Sequence, residues 1–101
     1  MGSINKGIVG GRLGSDPKAY GDVVKFSVAT NKKIKNKEVT NWFTVACFGT
    51  LGEIATKYLK KGSEVYVEGE MNLSKYVKDG VEKVSFEIIA NDLQMFGKKQ
   101  E

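Results

Sequence analysis

The side chains of this 101-residue chain that are equipped for chemistry are rings and lysines. In "TNWFTVACFG", residues 40–49, an extended strand sends Phe43, Val45 and Cys47 to one face and Trp42, Thr44, Ala46 and Phe48 to the other. The first set is an ordinary apolar core face. The second carries two large aromatics, ~20 Å apart at ~3.3 Å per residue, with residues between them small enough to leave the surface open. Flat rings on an open face can stack on unpaired bases, provided cations lie close enough to follow the phosphates. Two connections offer such cations: "NKKIKNK" (31–37) has Lys32, Lys33, Lys35 and Lys37, and "KYVKDGVEK" (75–83) has Lys75, Lys78 and Lys83 with Tyr76 among them. Tyr76 has the parity of Tyr66, opposite to Met71 and Leu73, so it is expected to point away from the core.

The same inventory excludes most enzyme chemistry. There is no histidine, which removes the usual general base and the commonest metal ligand. The one cysteine, Cys47, lies in an apolar alternation with no histidine to activate it, and one cysteine makes neither a zinc pair nor an internal disulfide. The glycines of "GIVGGRLG" do not fall as GxGxxG, and no P-loop occurs. Glu64, Glu68 and Glu70 alternate along one strand as a solvated face does. No catalysis, metal or cofactor is expected.

Sixteen basic against 12 acidic residues give a formal charge of +4, a mild bias toward an anionic partner. Of the sixteen, one is arginine, Arg12, and the rest are lysines. Lysine is a point charge without the planar fork that reads guanine edges, so phosphate attraction is expected over base-specific readout. No apolar run approaches the ~18 residues of a membrane span, and no signal peptide opens the sequence, so a cytoplasmic protein is expected. Met1-Gly2-Ser3 has the form of a cloning remnant.

The elements that must hold these groups are short runs of period 2 separated by turn residues, as in an all-β domain. A glycine-interrupted run occupies 4–13, where Gly7, Gly10 and Gly11 suggest bulging or close backbone approach. "SDPKAYGD" (15–22) reads as a turn. "VVKFSVAT" (23–30) places Val24, Phe26 and Val28 on one face; 39–48 follows a lysine-rich connection; "SEVYVEGEMNLSKY" (63–76) alternates through Val65, Val67, Gly69, Met71 and Leu73. "KDG" at 78–80 is a hairpin turn before the last run, 81–96. One segment changes period: in 50–62, Leu51, Ile54, Ala55, Tyr58 and Leu59 make one stripe of a helix. Thr50 and Glu53 have capping-box spacing, Gly62 can close the C-terminus, and Tyr58 and Phe26 are expected in the core. Three strands, a helix and two strands predict an all-β, five-stranded barrel of the oligonucleotide/oligosaccharide-binding (OB) type, with one short helix between strands 3 and 4. In that architecture the two lysine-rich connections rim the binding groove.

At "NWFTVACFGTLGEIATKYLKKGSEVYVEGEM" the chain resembles the bacterial and phage single-stranded DNA-binding protein family. That family's run, W-x-x-V-x-x-F-G-x-L-A-E-x-A-x-x-Y-L-x-K-G-S-x-V-Y-V-E-G, is met here by Trp42, Val45, Phe48-Gly49, Leu51, Glu53, Ala55, Tyr58-Leu59, Lys61-Gly62-Ser63 and Val65 to Gly69. The likeness continues in "INK" (4–6), "GRLGSDP" (11–17), "FSVATN" (26–31), "KDGVEK" (78–83) and "QMFG" (94–97). It implies one OB-fold domain over 4–97, binding single-stranded DNA in replication, repair and recombination, as a homotetramer rather than a dimer. Trp42, Phe48 and Tyr76 fall where that family stacks bases; Arg12 and the lysines at 32, 33, 35, 37, 75 and 78 are the expected phosphate contacts.

Some positions depart from the family. Ile34 replaces a stacking aromatic on the first finger and can only pack against a base. The connection before Val23 and the finger at 32–38 are short. Gly7 replaces a β-branched residue that helps to pair protomers, and Phe43 stands where many members have a polar residue near a subunit interface. The sequence ends at "GKKQE" (98–101 being a short basic and polar end), without the acidic tail by which members recruit replication enzymes. Two other readings fit the residues: a dimeric primosomal accessory protein of the same lineage, and a protein-interaction β-barrel whose aromatics pack an interface.

Overall fold

In the computed structural model, residues 2–96 are described; the expected C-terminal end at 98–101, and Met1 of the expected remnant, lie outside them. The elements are β1 (Gly7–Leu13), β2 (Lys18–Tyr20), β3 (Val23–Ile34), β4 (Lys37–Phe48), α1 (Gly49–Tyr58), β5 (Glu64–Lys78) and β6 (Val81–Phe96). Five strands close a ring in the order β1-β5-β6-β4-β3, with Arg12↔Ala29 and Leu13↔Val28 joining β3 back to β1. This is the expected five-stranded barrel, and its helix follows the third long strand. The correction is β2: the expected turn at 15–22 contains a three-residue strand paired to Val23, Val24 and Lys25 on β3. It uses the edge of β3 that β1 leaves uncovered.

Both basic connections are two-residue hairpin turns. Lys35 and Asn36 (φ 48° and 67°) close the pair Ile34↔Lys37, and Asp79 and Gly80 (φ 55° and 77°) close Lys78↔Val81. Two successive positive φ angles give a turn whose twist matches that of the strands it joins. The first connection is therefore nearly all strand, and both hairpins are paired up to the turn.

The core is the alternation of these strands turned inward. Val24, Phe26 and Val28 meet Val45, Cys47, Val65, Val67 and Ile88, all buried, and Phe43 packs against the cluster with its ring edge-on to Phe86 at 6.2 Å. Each buried valine contributes roughly 1.5–3 kcal/mol over its exposed state. Burial also pushes the Cys47 thiol up to about 11, leaving it a packing group at neutral pH.

A bulge interrupts β6. Glu68 pairs with Asp92 but Gly69 with Ala90, so Asn91 has no partner and the parity of β6 reverses there. Ile88 and Ala90 before it, and Leu93 after it, can then all reach the core. Past the last β4–β6 pair, Thr44↔Glu87, β5 and β6 leave the barrel as an arm; Met71, opposite Ile88 at its rim, and Leu73, on the arm itself, are exposed although both are expected on the core face. β1 begins at Gly7 rather than at residue 4, yet its ladder continues in side-chain form: Asn5 Nδ2 donates to the Met71 carbonyl at 2.8 Å and Asn5 Oδ1 accepts from the Met71 N–H at 2.9 Å. Gly7 itself leaves room for Met71, whose Cγ would lie 2.8 Å from a methyl group there. Gly11 shows the expected close approach, since a Cβ would overlap the Ala29 carbonyl.

The helix closes one end of the barrel with Ala55 buried and Gly52 against Val24 and the Cys47 carbonyl. Three expectations fail here. The helix is capped by Phe48 without a side-chain hydrogen bond, so Thr50 and Glu53 form no capping box. It ends at Tyr58, with Leu59 as C-cap, so Gly62 does not close it. Gly62 instead turns the chain (φ 89°) so that its N–H donates to the Leu13 carbonyl. Tyr58 is exposed and lies beside the Lys57 ammonium; Gly52, Ala55 and Leu59 supply the deep contact.

Candidate nucleic-acid interface

Paired residues of neighbouring strands share a face, so the register lays out the exterior row by row. Phe48 lies beside Val23, and Val23 beside Tyr20. The next row is Lys18, Lys25, Ala46 and Ile89, and the next Ser27, Thr44, Glu87 and Asn72. Trp42 follows beside Ala29, and Ala29 beside Arg12. Along the arm the same face carries Ser74 with Ser85, then Tyr76 with Lys83. Trp42, Phe48 and Tyr76 are thus on one continuous outer surface, 60%, 52% and 45% exposed respectively. Rings half in water on a sheet exterior are available to stack.

The Trp42 ring has a built seat. A methyl group at Gly14 would lie 2.9 Å from the indole Cη2 and closer still to Cζ3, so only glycine lets the ring lie over that turn. Gly14 is held in place by its N–H donating to the Ser27 carbonyl at 3.0 Å.

The space between the two rings differs from the expectation of an open shelf. Ala46 is only 1% exposed. β4 runs between β3 and β6, and the Lys25 ammonium reaches across it to Glu87 Oε2 at 2.6 Å, covering the small side chains beneath. An ion pair, its side chains partly buried, therefore separates the two exposed rings.

The expected cations distribute over two faces. Lys33, opposite Glu38, shares the Trp42 side of its hairpin; Lys32, Ile34 and Lys37 lie on the other side, and Lys35 is in the turn. All five are exposed. On the arm, Lys78 shares the parity of Tyr76, whereas Lys75, opposite Val84, faces away with Leu73 and Val77. Arg12 lies on the Trp42 face but is engaged: one guanidinium nitrogen donates to the Gly62 carbonyl at 3.2 Å and the other lies 3.6 Å from Glu64. Reading 15–22 as a turn hides Lys18 and Tyr20, and reading 23–30 by its apolar face alone passes over Lys25. The signal was present in Gly21-Asp22, a two-residue turn between "KAY" and "VVK".

The profile of the single-strand binding protein family matches residues 4–96. The chain belongs to that family. Among curated relatives it is similar to the single-stranded DNA-binding protein of Xanthomonas campestris pv. campestris, 48% identical over 97% of this chain and 63% of that protein. It is also similar to that of Neisseria meningitidis serogroup A, 41% identical over 98% of this chain and 63% of that protein. The chain thus spans under two thirds of the length of these single-strand binding proteins. A solved SSB of Plasmodium falciparum in complex with single-stranded DNA superposes with a TM-score of 0.85 at 32% identity, covering 96% of this chain and 98% of that one. The OB barrel found here is therefore that of the single-strand binding family. Among the described residues no helix is long and apolar enough to cross a membrane, and no group of three or more potential metal ligands occurs.

Proposed function

We propose that this family member binds single-stranded DNA without regard to sequence, through stacking on Trp42, Phe48 and Tyr76 and through lysine–phosphate attraction at the hairpin tips. The observation that carries this reading is the placement of three exposed rings on one exterior face that continues onto two basic hairpins. Every base has a π-face, so stacking is indifferent to sequence. A lysine contributes charge with little shape, which suits the same purpose. Held this way, single strands are protected and kept from reannealing during replication, repair and recombination, in the cytoplasm, and no chemical step is needed. The protein is non-catalytic under this reading.

Titration of a labelled oligothymidine, and of a duplex of equal length, tests it. Tight binding of the single strand and far weaker binding of the duplex is expected; equal affinity for the two would overturn the reading. The lysine part has its own signature. Each phosphate neutralised on a single strand adds about −0.7 to the slope of log K against log[salt]. Replacing Lys33 or Lys35 with glutamine is therefore expected to flatten that slope by about 0.7 each.

The functional unit under this reading is a homotetramer. Its support is the uncovered apolar face of the arm, where Leu73, Val77 and Val84 are exposed on the side opposite Tyr76, together with exposed Ile8 on β1. The mass measured by light scattering is expected to be that of four protomers.

A further inference from the structure

The outer face does not end at Phe48. It continues through Val23 onto β2, whose three residues are all exposed. Tyr20 lies two strands from Phe48, about 10 Å at ~4.8 Å per strand, and its side of the sheet is the side of Trp42. It is 57% exposed, so the barrel does not use its ring for packing. Beside it is a shallow depression of about 340 Å³, lined by Lys18, Tyr20, Lys25, Ser27 and Thr44 among others. That size is at the small end for ligand pockets, and its lining joins the Tyr20 ring, two ammonium groups, a carboxylate and the hydroxyls of Ser15, Ser27 and Thr44.

Of the two ammonium groups there, only that of Lys18 is free of an ion pair among the described residues. Asp16 also borders the depression as a carboxylate, tied to the far side by its Oδ1 accepting the Lys61 backbone N–H at 2.8 Å. Glu87 is bound to Lys25. Lys18 has no ion-pair partner among the described residues.

We propose that Tyr20 and Lys18 form a further nucleotide subsite beside Phe48, the phenol ring taking a base of the single strand and the ammonium its phosphate. This rests on the single-strand reading above and extends the path across β2, away from the arm. A second copy of the chain seated on Tyr20 is the competing occupant.

The test is anisotropy titration of a long oligothymidine with the full chain and its Tyr20→Ser, Tyr20→Phe, Lys18→Gln and Trp42→Ala variants, with solution masses measured alongside. Tyr20 sits exposed on an edge strand, so Tyr20→Ser is expected to keep the wild-type circular dichroism. Expected is a loss of about tenfold or more for Tyr20→Ser, wild-type affinity for Tyr20→Phe, which keeps the ring, and a salt slope flattened by about 0.7 for Lys18→Gln. Wild-type affinity in Tyr20→Ser while Trp42→Ala binds weakly overturns the subsite alone; so does an altered mass with unchanged affinity, which marks Tyr20 as a protomer contact. Wild-type affinity in both variants overturns the single-strand reading itself.

Discussion

Replacing Trp42 with alanine is expected to weaken oligothymidine binding by about 1–3 kcal/mol, some five- to a hundredfold, with the salt slope unchanged. The reason lies in what the ring touches. It is 60% exposed and rests over Gly14 on the barrel exterior, outside the core cluster. Under the proposed function its removal takes away a stacking surface and leaves both the lysines and the core in place. Thermal unfolding of the variant should therefore stay close to that of the wild type. The comparison with the lysine variants makes the division of labour measurable: a ring sets affinity at any salt, and a lysine sets the slope. Trp42→Ala and Lys33→Gln variants that behave alike would contradict it.

The second large effect is expected far from the three exposed rings. Gly69→Ala should cost at least about 1–3 kcal/mol of stability, the usual scale of overpacking, and lower the unfolding temperature by about 4–8 °C per kcal/mol. A Cβ at Gly69 would overlap the Ile89 carbonyl oxygen and lie 2.7 Å from its carbon. Backbone on a paired strand cannot move aside without opening the ladder at the Asn91 bulge, where β6 changes the face it turns inward. Gly10→Ala is the matched control: the nearest atom to its Cβ would be the Val65 carbonyl at 3.7 Å, an ordinary contact. Circular dichroism melts of the two variants should separate clearly; coincident melts would contradict the assignment of Gly69 to a tight crossing.

Much of this was legible in the sequence, for identifiable reasons. Val24-Phe26-Val28 and Val65-Val67 alternate because one face of each strand is buried, and the burial follows that parity. Asp79-Gly80 announces its own turn, since few residues accept two successive positive φ angles. The outward placement of Trp42 and Phe48 follows from their offset against Val45 and Cys47. What stayed hidden depends on partners distant in the chain. Ala46 is covered because residues 25 and 87 meet above it, and no local pattern encodes that pairing. Met71 and Leu73 keep the core parity but run out of barrel to face. Tyr58 sits on a helical stripe wider than the surface the helix actually buries. Tyr20 was lost among turn-forming residues that here flank a strand three residues long.

The most direct measurement of the central claim uses the intrinsic fluorescence of Trp42, the only tryptophan. If its indole is a stacking platform, adding an oligothymidine should quench the emission in a saturable way, with the quench relieved as salt displaces the strand. Emission that does not change when binding is independently shown to saturate would mean that the nucleic acid lies elsewhere, and the face described here would not be the site.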